Sequence, residues 1–192
     1  AVYVAIDSVY AGRIRLEDKI KQDGIKAIES LKELGVTDIV MLTGDNEESA
    51  NLIAKKLGIQ NVYASLLPHQ KVEILESIIS KAPNGQKTVF VGDGINDAPS
   101  LARADVGIAM GGVGSDAAIE AADVVIMNDE ISKVASAVKI ARKTNIIVWQ
   151  NIAFALGVKG IIMIMGAFGV ATMWEAVFGD VGVALIAVLN AT

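Results

Sequence analysis

Thr88-Val89-Phe90-Val91-Gly92-Asp93-Gly94-Ile95-Asn96-Asp97-Ala98-Pro99 is the stretch that decides the fold. The apolar run 88–91 reads as a strand. Gly92 and Gly94 allow a tight loop, and Ala98-Pro99 begins a helix. The loop carries two carboxylates, Asp93 and Asp97, four residues apart. Magnesium prefers one or two carboxylates together with phosphate oxygens and water. An isolated Asp-Gly pair is ordinarily a solvated turn. The composition of 93–99 at a strand tip instead predicts phosphoryl chemistry, with magnesium held by Asp93 and Asp97.

The loop has partners in a useful order. Asp38-Ile39-Val40-Met41-Leu42 reads as a buried strand and runs directly into Thr43-Gly44-Asp45. Pro68 and Lys71 follow at the start of a helical stretch. A hydroxyl and backbone N–H groups can hold phosphate oxygens, a lysine neutralises charge and the metal orients the group. Taken singly, Thr43-Gly44-Asp45 is an ordinary turn and cap, and Lys71 a surface lysine. Their joint order and spacing is what points to chemistry.

Strand and helix patterns alternate around these motifs. Asp23 to Leu34 carries a helical stripe at Ile25, Ile28, Leu31 and Leu34, ended by Gly35. Asn46 to Leu57 predicts a helix ended by Gly58, Asn61 to Ala64 a short strand, and Pro68 to Ser80 a helix with proline at its start. Thr88 to Val91, Val106 to Ala109 and Val124 to Met127 predict further strands. The expected fold is α/β, a mainly parallel sheet with helices on both faces. The motifs then fall at the carboxyl ends of strands, where open α/β sheets bind ligands. Gly111-Gly112-Val113-Gly114 reads as a turn before a helix.

These motifs resemble those of P-type cation-transporting ATPases. The matching elements are Thr43-Gly44-Asp45, Pro68-x-x-Lys71 and Gly92-Asp93-Gly94-Ile95-Asn96-Asp97-Ala98-Pro99, with the following Ala104-Asp105-Val106-Gly107-Ile108-Ala109-Met110-Gly111. The resemblance implies a haloacid-dehalogenase-like, doubly wound phosphorylation domain over 18–145 that ends in a helix leading to the membrane, with Thr43, Gly44, Asp45, Lys71 and Asn96 at the catalytic site. Residues 1–17 are then the last hairpin of the nucleotide-binding domain, with strands at Val2 to Ile6 and Arg13 to Leu16 around a turn at 7–12. Asp18 marks the hinge, although Lys19-Ile20-Lys21 departs from the proline and arginine usual there. In this family an aspartate in an Asp-Lys-Thr-Gly-Thr segment takes the phosphoryl group from ATP. Neither that segment nor the Thr-Gly-Glu loop of the actuator domain occurs in these 192 residues. The chain is therefore expected to be a C-terminal piece. ATP would be bound mostly by the upstream domain, and the partners would be the nucleotide-binding and actuator domains and earlier membrane helices of the same polypeptide.

Composition narrows the remainder. Hydrophobic residues make up 53% of the chain, and the apolar excess lies at the C-terminal end. A net charge of −5 argues against nucleic acid as a partner. There is no cysteine, and the single His69 cannot build a histidine metal cluster. From Ile146 to Gly169 the one charge is Lys159; from Val170 to Ala191 the charges are Glu175 and Asp180. Each stretch exceeds the roughly 20 residues that span a bilayer, so 146–192 predicts a two-helix transmembrane hairpin. Lys139, Arg142 and Lys143 precede it, and the connection 166–172 has no basic residue. The positive-inside rule makes the soluble part cytoplasmic and the protein a multi-pass cell-membrane protein.

Two membrane charges carry the rest. Lys159 lies about 13 residues, hence about 20 Å, into the first span, and Asp180 about 12 Å from the outer end of the second. In a core roughly 30 Å thick they sit at similar depth. Each costs roughly 2.5–3.5 kcal/mol at the bilayer centre, so opposite signs at one level call for a reason. One reading is a structural ion pair. The other is a transport site, with Asp180 as oxygen ligand for a divalent heavy-metal ion and Lys159 as counter-charge when the site is empty. Glu175, nearer the outer end, reads as interfacial. Lys159-Gly160 and Met173 to Gly182 resemble the zinc/cadmium/lead group of heavy-metal ATPases, which implies an ATP-driven efflux pump.

The alternatives are a membrane-anchored phosphatase of the haloacid-dehalogenase type and a non-catalytic fragment. A complete phosphatase needs a nucleophilic aspartate ahead of Thr43, and Asp7, Asp18 and Asp23 lack the strand-tip context for it. Purified residues 1–192 are therefore expected to form no acyl phosphate. Radiolabelled ATP followed by acid quench tests this, and a hydroxylamine-sensitive label on the chain would locate a nucleophile within it.

Overall fold

In the computed structural model, residues 2–14, 21–111, 116–128 and 130–191 are described. They fall into two compact units, Ala1–Ala135 and Ser136–Thr192. The hinge expected at Asp18, the end of the hairpin at Arg15-Leu16 and the turn at Gly112-Val113-Gly114 lie outside the described residues.

The first unit opens on an antiparallel hairpin, β1 (Val2–Ile6) and β2 (Val9–Ile14). The turn is two residues, not the six expected. Asp7 and Ser8 both adopt positive φ, 49° and 66°, and Ile6 pairs directly with Val9. Two left-handed residues match the right-handed twist of the flanking strands, and a short aspartate tolerates that backbone. Gly12 belongs instead to strand β2, next to the register shift opposite Val4/Ala5. It read as a turn residue because bulges and turns both favour glycine.

The rest of the unit alternates helix and strand. Helix α1 (Gln22–Glu33) leads to β3 (Val40–Leu42), α2 (Glu47–Leu57) to β4 (Asn61–Tyr63), and α3 (Pro68–Lys81) to β5 (Val89–Gly92). A 3₁₀ turn at Ile95–Asp97 and α4 (Ala98–Arg103) precede β6 (Val106–Met110). Then come α5 (Asp116–Ala121), β7 (Val124–Ile126) and the start of α6 (Ser132–Ala167). Asn46 caps α2 by accepting the Ser49 N–H at 2.9 Å, and Gly58 closes it with φ 67°.

All pairs among β3 to β7 are parallel. They form two hydrogen-bonded groups, β3-β4 and β5-β6-β7. Strand β6 shows why helices cover both faces. Ala109 joins Leu75, Phe90, Leu101 and Ala118 in one cluster, and Ile108 and Met110 join Ile126 and Val134 in the other. Successive residues of a strand point to opposite faces, so a strand buried on both sides needs helices above and below. Here α3, α4 and α5 cover one face, and the other carries Leu31 of α1 and Val134 at the start of α6.

Polar contacts fix the ends of these elements. Asp23 accepts the N–H of Ser132, the first residue of α6, at 3.0 Å. Its carboxyl is lowered from the ordinary aspartate value chiefly by its hydrogen bonds to Ser132.

Helix α6 is unbroken for 36 residues, most of them in the second unit, so the apolar span expected from Ile146 is the later part of a longer helix. After a turn come α7 (Met173–Val177), a π-helical turn (Phe178–Gly182) and α8 (Val183–Ala191). The second span starts at Met173 because Glu175 folds back to accept the backbone N–H of Thr172 at 2.9 Å, a capping box. Both helical runs are long and apolar enough to cross a membrane. Trp149, Leu156, Ile161, Met163, Leu185 and Leu189 are exposed, as lipid-facing residues are and core-helix residues are not.

Asp105 supplies a pH test of the fold. Its carboxylate accepts the Thr88 N–H at the start of β5 and the Lys87 ammonium, each at 2.9 Å. These bonds, the Thr88 N–H first, hold its carboxyl below the ordinary value. A lowered folded-state value gives stability that is present at neutral pH and lost as pH falls through that value. Asp105→Asn should be less stable than the parent at pH 7. The gap should close below about pH 4, in thermal unfolding followed by circular dichroism in detergent.

Candidate functional site

The strand tips build the candidate site. Thr43 follows β3, and its backbone is held by the neighbouring strand connection: its N–H donates to Tyr63 and its carbonyl accepts from Leu66. The Thr43 hydroxyl donates to an Asp45 carboxylate oxygen at 3.0 Å and accepts the Asp45 N–H at 3.1 Å. Asp45 is tied further by its carbonyl, which accepts the Ser65 N–H at 2.7 Å. Thr43-Gly44-Asp45 is thus a closed turn with its side chains locked to one another.

The second half follows β5. Asp97 ends the 3₁₀ turn and is buried, with 9% of its surface exposed. Lys71, in the first turn of α3, donates to it at 2.8 Å, and both side chains are largely shielded from water. Gly92 makes this possible: a Cβ there would lie 2.7 Å from the Asp97 Cβ. Asp93 and Asn96 are exposed on the same loop. Leu42, the residue before Thr43, packs on the cluster that holds Phe90 and Leu75, so the β3, β5 and α3 segments share one core. The structure therefore brings Lys71 onto Asp97 and Thr43 onto Asp45. His69 is exposed beside them.

Residues 1–105, more than half of the chain, match one family. The chain belongs to the haloacid dehalogenase-like hydrolases. Within that family it is similar to the C-terminal part of larger transport ATPases. A cadmium, zinc and cobalt-transporting ATPase of Bacillus subtilis (strain 168) is 58% identical over 190 residues, 99% of this chain and 27% of the relative. A zinc-transporting ATPase of Synechocystis is 56% identical over 192 residues, 100% of this chain and 26% of the relative. The crystal structure of a zinc-transporting PIB-type ATPase in its E2.Pi state superposes with TM-score 0.86 at 38% identity, covering 98% of this chain and 30% of that one. The chain thus spans about a quarter of the length of the curated relatives it matches.

Membership of this haloacid-dehalogenase group implies use of Mg²⁺. The donors fit a hard cation in part: Asp93 and Asp97 offer carboxylate oxygens on one tight loop. No group of three or more His, Cys, Asp or Glu side chains suited to a metal occurs among the described residues.

In the second unit Lys159 and Asp180 meet at 3.2 Å. Asp180 sits inside the π-helical turn, where the Val183 N–H bonds back to Phe178. Glu175 serves as the cap of α7. Asn151 and Asn190, uncharged polar residues of the spans that bond to each other, escape a reading that counts charges alone. A search for any side-chain amide in an apolar span would have found them.

Gly92→Ala tests the packing of Asp97. Overpacking typically costs about 1–3 kcal/mol, because atoms with no room must shift. The variant should lower the urea midpoint of the first unit accordingly, read from far-ultraviolet circular dichroism. An unchanged midpoint would mean that Asp97 is not held against the Gly92 backbone.

Proposed function

We propose that the chain is the phosphorylation-domain and C-terminal membrane-hairpin part of an ATP-driven pump for a divalent heavy-metal ion. The observation that carries this reading is the Lys159–Asp180 ion pair at 3.2 Å between two apolar helices, in a chain that also holds the Lys71–Asp97 loop. A phosphatase of the same family has no use for such a pair. The named cargo of the relatives, cadmium, zinc and cobalt in one and zinc in another, supports a metal of that class.

On this reading Asp93 and Asp97 hold magnesium, which when bound offsets negative charge on the transferring phosphoryl group. Thr43, with the backbone N–H groups of Gly44 and Asp45, binds phosphate oxygens. Lys71 keeps Asp97 oriented and neutralises charge, and Asn96 donates to phosphate from the same loop. The nucleophilic aspartate and most of the ATP site come from the remainder of the polypeptide. One face of β5 supports this: Val89 and Val91 are 41% and 40% exposed although Phe90 is buried. The β1-β2 hairpin is the edge of the nucleotide-binding domain, and its exposed Tyr3, Ile6, Val9 and Tyr10 fit a surface continued by that domain. The basic residues ahead of the first span put the phosphorylation domain on the cytoplasmic side.

In the hairpin Asp180 is the oxygen ligand for the transported ion and Lys159 replaces the ion's charge when it leaves. A lone charge at the bilayer centre costs roughly 2.5–3.5 kcal/mol, and an opposite charge beside it offsets part of that cost.

In the full-length pump, Asp93→Ala and Asp97→Ala should abolish phosphoenzyme formation from ATP. Thr43→Ala and Lys71→Ala should slow it by on the order of 10²-fold, since each removes one group that stabilises charge. Phosphoenzyme at parental levels in either aspartate variant would refute the magnesium assignment.

Asp180→Ala should eliminate zinc- or cadmium-stimulated ATP hydrolysis and leave phosphorylation by inorganic phosphate intact, because that reaction uses the metal-free state. A purely structural pair predicts instead that replacing Lys159 and Asp180 together by apolar residues restores turnover. That result would overturn the transport-site reading.

A further inference from the structure

We propose that Asn151 and Asn190 are positioning residues for the ion site: their interhelical clasp sets the register in which Lys159 meets Asp180. The proposal rests on the transport-site reading above.

The geometry is directional. The Asn151 side-chain amide on α6 donates to the backbone carbonyl of Ala187 on α8 at 3.0 Å. The Asn190 amide donates to the Asn151 carbonyl oxygen at 2.9 Å. Asn151 is thus engaged by α8 through both its donor and its acceptor. In hydrocarbon no water can replace these partners, so an unmade bond there is costly.

The rest of the seam specifies register weakly. On α6 the half-buried residues Asn151, Ala155, Val158 and Ile162 recur at spacings of three and four. Gly179, Val183 and Ala187 repeat every four residues on the other side. Between apolar helices in lipid there is no hydrophobic drive, and packing of small residues tolerates sliding. A slip of one residue would displace Asp180 by about 1.5 Å along the helix and about 100° around it, enough to part it from Lys159. The two polar contacts belong to a single register. Asn151 lies eight residues before Lys159, and Ala187 seven after Asp180, distances of about 12 Å and about 10 Å along antiparallel helices. Because the amides are neutral, the clasp does not compete for a cation. It holds while an ion draws Asp180 away from Lys159, so the carboxylate returns to the same partner.

The test uses the full-length pump, with zinc as probe, and reads two quantities: the zinc concentration for half-maximal ATP hydrolysis and the level of phosphorylation by inorganic phosphate. Asn151→Ala removes both bonds and should raise the half-maximal zinc concentration about 10-fold; Asn190→Ala removes one and should raise it about 3-fold. The double variant should match Asn151→Ala, since Asn190 has lost its partner already. Phosphorylation by inorganic phosphate should stay at the parental level in all three. Unchanged zinc dependence in both single variants, additive effects in the double, or an equal loss of phosphorylation by inorganic phosphate would each overturn the proposal. So would failure of both single variants to accumulate in the membrane, because the clasp would then serve folding alone. Asp180→Ala measured alongside separates the two readings. If it retains zinc stimulation, the transport site itself is wrong; if it does not and the asparagine variants behave as the parent, only the clasp is.

Discussion

The Asp97 carboxylate is the constraint on which the candidate site of the first unit depends. A nearly buried carboxylate is expensive unless a charge and hydrogen bonds meet it. Lys71 does so at 2.8 Å, which fixes the first turn of α3 against the loop after β5. That contact requires Gly92, because any side chain there would occupy the volume of Asp97. The requirement reaches back into the strand. Phe90, two residues earlier on the same face as Gly92, packs with Leu75, one turn beyond Lys71 on α3. Burial of the apolar pair and placement of the charged pair are therefore one arrangement, and neither helix nor loop can shift alone.

The hairpin answers a different constraint. Its helices lie in surroundings as apolar as they are, so burial cannot hold them together, and close approach and directional bonds must. Gly179 supplies the approach: it is buried, and a Cβ there would run into the Ile162 side-chain tip. The π-helical turn at Phe178–Gly182 lies at the same level as Asp180. Such turns are rare and cluster at functional sites, because the wider turn departs from the compact α-helical bond pattern. A polar side chain at this position in a regular helix would have needed no such departure.

Much of this was legible in the sequence, and the misses share a physical cause. Strands β5 and β6, helices α2 and α3 and both apolar spans follow from periodicity, glycine stops and the Pro68 start. The Lys159–Asp180 pairing followed from depth alone. The hairpin turn did not, because Asp7-Ser8 carries no glycine and its left-handed backbone is set by the pairing of Ile6 with Val9. A helix leading to the membrane was expected ahead of the span from Ile146, but its start at Ser132 and its length were not, because the charged first part of α6 carries no apolar stripe like that of the span. The Lys71–Asp97 bond and the Asp23 cap on α6 join residues 26 and 109 positions apart, and local pattern carries no information at that range.

On the transport-site reading the ion pair also explains why the hairpin carries one lysine rather than none. A lone charge in hydrocarbon is costly, so Asp180 without a partner would make an unfavourable empty site. With Lys159 at 3.2 Å the empty site has a counter-charge in place. The arriving divalent ion then takes the place of the ammonium. Its advantage is the second positive charge and the shorter distance of a metal–oxygen bond. A monovalent ion has neither advantage in full, so the same lysine that stabilises the empty state also disfavours occupancy by sodium or potassium.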